Sequence, residues 1–151
     1  MRFQHLAILG IVAVINISCT SKETSNLPNI QAQSTTTLAS AAVGTGTFKA
    51  GEHPTTGKVS IVTEQGKRYL EFDQSFKTNK GPDLFVILYR SDAPPVYGIK
   101  EKDYVSISRL QKTSGSQRYA LPENVKLTDF RSVAVWCRQF NANFGYASLP
   151  K

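Results

Sequence analysis

The stretch RSVAVWCRQFNANFGYASL, residues 131–149, decides the fold. Its first half alternates: Val133, Val135 and Cys137 face one way and Ala134 and Trp136 the other, the two-residue period of a β-strand. QFNAN then interrupts the run with turn-forming residues, and FGYASL resumes it. Two strands joined by a short connection, with no helical spacing of apolar residues, point to antiparallel β-structure. Cys137 follows directly on the only tryptophan of the chain. It shares a face with two valines but stands near a strand end, so the expectation is a half-buried position at the rim.

Upstream, the segments are again short, β-branched and aromatic, and Gly, Pro and Asn separate them. GKVSIVTEQGKRYLEFD (57–73) reads as a hairpin, with Val59 and Ile61 facing inward, Gln65-Gly66 at the turn, and Leu70 and Phe72 returning on the buried side. DLFVILYR (83–90) is continuously apolar from Leu84 to Tyr89, as a strand covered on both faces would be. DYVSISRL (103–110) alternates with Val105 and Ile107 inward, and SQRYALP (116–122) is a short strand stopped by Pro122. About eight short antiparallel strands without a helix predict an all-β domain, a sandwich or a barrel, over residues 46–151.

The first 18 residues have another character. MRFQHLAILGIVAVINIS opens on Arg2 and the free amine and continues as a mostly apolar run from Leu6 to Ile17, too short to span a bilayer comfortably. It predicts a signal peptide over 1–18. Ser18-Cys19 resembles the lipobox of bacterial lipoproteins, in which the cysteine is diacylated and becomes the first residue after cleavage. Asn16 stands where that pattern usually has leucine, and secretory cleavage after Ala39-Ser40-Ala41 is the alternative. Residues 19–45 are rich in Ser, Thr, Gln, Asn and Ala with no apolar period. Such a segment buries too little surface to offset its ordering entropy, and is expected to be a flexible tether.

Under either processing route the mature chain keeps one free thiol, Cys137, because Cys19 is either capped by lipid or removed. It keeps one histidine, His53, and no methionine, since the chain has two cysteines, two histidines and one methionine and the leader takes the others. That inventory bounds the chemistry. A blue-copper centre needs two histidines and a thiolate, attached c-type haem needs C-x-x-C-H, paired axial haem ligation needs a second ligand, and a closed zinc site needs four. The expectation is therefore no metal and no cofactor of its own, with any haem or other redox cofactor belonging to a partner. No G-x-S-x-G elbow or nucleophile–base set for hydrolysis is readable. The 18 Lys and Arg against 11 Asp and Glu are scattered singly or in pairs; nucleic-acid binding calls for a concentrated basic stripe, so no nucleic-acid partner is expected.

The order of several elements is distinctive: Gly46 and Phe48, His53, Gly57, then N-x-G-P-D-L from Asn79 to Leu84. It continues through Gly115, Gln117, Tyr119, Leu121 and Pro122, and closes with V-x-V-W-C (Val133 to Cys137) and F-G-x-A-x-L (Phe144 to Leu149). This resembles the DM-thirteen domain, a β-rich extracytoplasmic module described as an electron-transfer domain. It accompanies DOMON domains in animals and occurs in short secreted proteins and lipoproteins in bacteria. The resemblance implies that Cys137 is the signature thiol and acts in redox chemistry. With no DOMON domain in this chain, the electron donor or acceptor would be a separate protein.

The residues and the resemblance together predict a lipid-anchored extracytoplasmic domain, held to a bacterial membrane through Cys19 and facing the periplasm or exterior. Cys137 would be its redox or thiol-exchange group, serving a partner protein. Candidate supporting groups are His53, Asp83, Trp136 and Arg138, although alternation turns Arg138 from the thiol's face and Asp83 suits an acceptor of backbone hydrogen bonds in its turn. The alternative reading is a non-catalytic β-sandwich binding module that uses exposed Tyr89, Tyr97 and Tyr104. A third is a dimer joined through the free thiol.

Overall fold

The computed structural model describes residues 41–149. The expected signal peptide and most of the expected tether, Cys19 included, lie outside the described residues. Nine strands run in the order β1 (Ala41–Thr47), β2 (Lys49–Ala50), β3 (Lys58–Glu64), β4 (Lys67–Phe72), β5 (Leu84–Tyr89), β6 (Tyr104–Arg109), β7 (Gln117–Ala120), β8 (Ser132–Cys137) and β9 (Ala142–Ser148). They form two antiparallel sheets, β1-β3-β4-β7 and β2-β9-β8-β5-β6, which do not close on each other. The fold is a β-sandwich. Two 3-10 turns, Glu101–Asp103 and Leu127–Asp129, are the only helical elements among the described residues.

The predicted hairpin is β3–β4, paired from Val59↔Phe72 to Glu64↔Lys67. Gln65 and Gly66 close it with φ of 50° and 76°, the left-handed pair that a two-residue turn requires and that glycine takes without cost. Strand β1 was not anticipated. It begins at Ala41, so that its first five residues fall within the expected tether, and pairs with β3 as far as Thr47↔Lys58. Its sequence, AAVGTGT, has neither the alternation of β3 and β4 nor the continuous apolar run of β5, and what fixes it is the open edge of β3.

Between the sheets lies a core of Val59, Ile61, Leu70 and Phe72 from the four-stranded sheet and Val86, Leu88, Val133 and Val135 from the other. Phe48, Phe72 and Phe76 fill one end with edge-on and tilted rings, 4.7–5.2 Å between centroids. The outer face of the five-stranded sheet is apolar as well. Ile87, Tyr89, Ala134 and Trp136 form a second cluster there with Ile99, which comes from the β5–β6 connection. All six residues of β8 are therefore buried. The physical reason is that a strand in the middle of a sheet with both faces covered has no side left for water.

Candidate functional site

Strand β8 places the thiol. Its register with β5 runs from Tyr89↔Ser132 to Leu84↔Cys137, and with β9 it ends at Cys137↔Ala142. Cys137 is the last residue of the strand and its neighbours on both sides are apolar. The residue is 0% exposed and belongs to the main core cluster. The expected half-buried rim is thus corrected: Cys137 is a free thiol sealed in hydrocarbon, with no hydrogen-bond partner among the described residues. Burial reaches the strand end because Leu84, Ala142 and Phe144, all buried, belong to the same core cluster as Cys137.

The supporting groups are near in the fold but bonded elsewhere. Asp83 immediately precedes Leu84, the cross-strand neighbour of Cys137. Its carboxylate accepts from Arg109 on one oxygen and from Arg138 Nε at 2.8 Å on the other. The expectation that Asp83 would accept backbone hydrogen bonds is corrected, since two guanidiniums take both oxygens. Those guanidiniums also stack on Phe85, with Cζ 5.4 and 4.5 Å from the ring centroid. Arg138 is thereby committed to Asp83, and its Cα amide donates to the Asp83 carbonyl at 3.0 Å.

His53 lies in the segment after β2. Its ring stands edge-on to Phe144 at 4.1 Å, and Asn79 Nδ2 donates to His53 Nδ1 at 3.3 Å. The other ring nitrogen, Nε2, lies 3.9 Å from a Glu52 carboxylate oxygen. Thr55 pins this segment to β9: its hydroxyl bonds to the Phe144 carbonyl at 3.0 Å and shares a 2.9 Å contact with the Thr78 hydroxyl. Gly145 makes the close approach feasible, because a Cβ there would lie 2.3 Å from the Thr55 Cβ. Phe144 thus stands against the imidazole on one side and belongs to the thiol's cluster on the other.

Trp136 points to the opposite face, as alternation requires. Its indole donates to Asn141 Oδ1 at 3.0 Å and packs 4.9 Å from Tyr104. Asn141 closes the β8–β9 turn with φ 46°, and its amide donates to the Ile99 carbonyl at 3.1 Å. Asparagine is the non-glycine residue that tolerates this backbone best. Of the three tyrosines expected at the surface, Tyr97 is exposed, Tyr104 is half-buried and Tyr89 is buried in the outer cluster.

Several features here had no clear signal in the sequence. Tyr97 donates to Glu52 at 2.6 Å and joins the β5–β6 connection to the His53 segment. Asn143 is fully buried with no protein partner for its side-chain amide among the described residues, and a lone Asn in a strand gives no hint of that. Phe140, Tyr97 and Val96 are exposed beside one another, since Gly98 N–H donates to the Asn141 carbonyl and Asn143 N–H to the Val96 carbonyl. Among the described residues no cluster of His, Cys, Asp and Glu could hold a metal ion, and no helix is long and apolar enough to cross a membrane.

Among curated proteins and among solved structures, none matches the chain. The family described as electron transfer DM13 matches residues 47–149, about two-thirds of the chain and nearly the whole described sandwich. His53 and Asn79, far apart in sequence and joined by a hydrogen bond, both fall within that span, as does Cys137. The chain therefore belongs to the DM13 electron-transfer family.

Proposed function

We propose that this domain is a redox module outside the cytoplasm, held to a membrane through lipidated Cys19, in which Cys137 acts when the β8–β9 turn opens. The supporting observation is the position of the sulfur: Cys137 ends β8, and the next three residues, Arg138, Gln139 and Phe140, are all exposed. Local openings of a turn cost less than global unfolding, and functional loops are drawn from such low-stability regions. In the closed state no disulfide can approach the sulfur in line. In the open state the Cys137 thiol gives its proton to water, and the thiolate attacks a partner disulfide. The partner's S–S bond breaks, a Cys137–partner disulfide forms, and the other sulfur leaves as a thiolate. The exposed Val96, Tyr97 and Phe140 beside the turn offer the partner an apolar landing. The domain supplies no cofactor; a haem or other redox group in the exchange belongs to the partner.

Alkylation of Cys137 in the intact chain tests this as urea rises. Opening of the turn gives a rate with weak urea dependence, well below that of global unfolding measured on the same protein. Modification that tracks global unfolding in both magnitude and slope makes Cys137 a core residue and nothing more. The sealed sulfur and the apolar patch would then favour the second reading, a binding module that docks a partner without thiol chemistry.

A further inference from the structure

We infer that the open end of the sandwich is a binding site for a single-chain aliphatic carboxylate, independent of the thiol. The inner face of β3 carries Val59 and Ile61 into the core, and Ile61 with Thr63 further along the strand lines a cavity there. A groove of about 450 Å³ begins there, within the roughly 300–1,000 Å³ of small-molecule sites. Its walls are Val43 of β1, Ile61, Leu127 of the second 3-10 turn, Phe130 and Leu149. Val43, 59% exposed, is an apolar side chain left standing at the edge of this trough.

The charge at the groove has one sign. Arg68 and Arg131 line it, and no carboxylate does. Arg68 is held in place by donating from Nη2 to the carbonyls of Val125 and Glu123, at 2.8 and 3.3 Å, which orient the guanidinium without neutralising it. Neither arginine forms an ion pair among the described residues. The contrast with the larger groove, about 680 Å³ on the outer face of β3, β4 and β7, is informative. There Arg118 is already paired with Glu64 and Glu71, and Lys58, Glu71 and Asp73 leave charges of both signs. An apolar trough with two uncompensated guanidiniums suits a molecule with a hydrocarbon tail and a planar anionic head, and the carboxylate matches the guanidinium fork.

Calorimetric titration of the intact chain with octanoate, decanoate and laurate, each below its micellar concentration, tests the assignment. The expected result is saturable one-to-one binding that tightens roughly fourfold per added methylene, the effect of burying a CH₂ group. Arg131→Gln, at an exposed position, is expected to weaken laurate about tenfold while leaving the chain-length trend intact. Val43→Asp, also at an exposed position, is expected to abolish binding by setting a carboxylate in the trough. Dodecyltrimethylammonium is expected not to bind. Laurate binding unchanged in both variants, equal affinity for the cationic amphiphile, or no saturable binding at all would each overturn the proposal.

Discussion

At Cys137 the surroundings set what a substitution does. The sulfur sits among Val133, Val135, Leu84 and Ala142 without a hydrogen-bond partner among the described residues. Cys137→Ala removes one heavy atom and is expected to cost about 1 kcal/mol, the range for a small core deletion. Cys137→Ser keeps the heavy-atom count but buries a hydroxyl with nothing to bond, for about 1–3 kcal/mol. Serine should therefore be the worse replacement, read as the lower urea midpoint of the two. A serine variant as stable as the parent would mean that water reaches the position. Asp83 shows the converse logic. Both its partners are more than half exposed, so the pair of ion pairs orders the strand ends more than it stabilises the fold.

Among the elements, β7 shows how an edge strand is secured. Tyr119 is buried, donates from its hydroxyl to Gln117 Oε1 at 2.5 Å and accepts from the Gln111 N–H at 3.0 Å. The Gln117 side chain in turn bonds both backbone groups of Lys112. Burial pushes the Tyr119 hydroxyl up to about 12 from 10.0, against the opposing pull of the Gln111 N–H. The neutral form is thus favoured by folding. Its contribution is complete below pH 10, where both states hold the proton. It is lost as pH rises through 12, because between these values only the unfolded chain ionises. The loss amounts to about 2–3 kcal/mol. Alkaline unfolding should steepen over that window, and Tyr119→Phe should flatten it; an unchanged pH profile in the variant would sink the assignment. Tyr89, raised chiefly by burial and further by Asp103, adds to the same slope.

Strands with a clear period were legible in the sequence: β3, β4, β6 and β8 alternate, and β5 is uniformly apolar because it is covered twice. Strand β1 was not, since a Gly- and Thr-rich segment recruited by an open edge has no period of its own. The direction of Cys137 was readable from alternation. Its depth was not, because depth depends on Leu84, Ala142 and Phe144, which reach the strand end from other elements. For the same reason the sequence named His53, Asp83, Trp136 and Arg138 but not their partners Asn79, Arg109 and Asn141.

For the whole molecule the net charge of +7 favours approach to an anionic surface, and β1 starts only 22 positions after Cys19. Lipidation at Cys19 would keep the sandwich close to the bilayer. The intact chain expressed in a bacterium should fractionate with membranes and incorporate a labelled fatty acid, and Cys19→Ser should lose the label and move to the soluble fraction. Retention of both by the variant would place the anchor elsewhere.

The burial of β8 on both faces has one more consequence. Opening of the β8–β9 turn to uncover the sulfur must also disturb Trp136, whose indole is tied to Asn141 in the same turn and packed near Tyr104. The chain has no other tryptophan, so its intrinsic fluorescence is a native reporter of access to the thiol from the far side of the sheet.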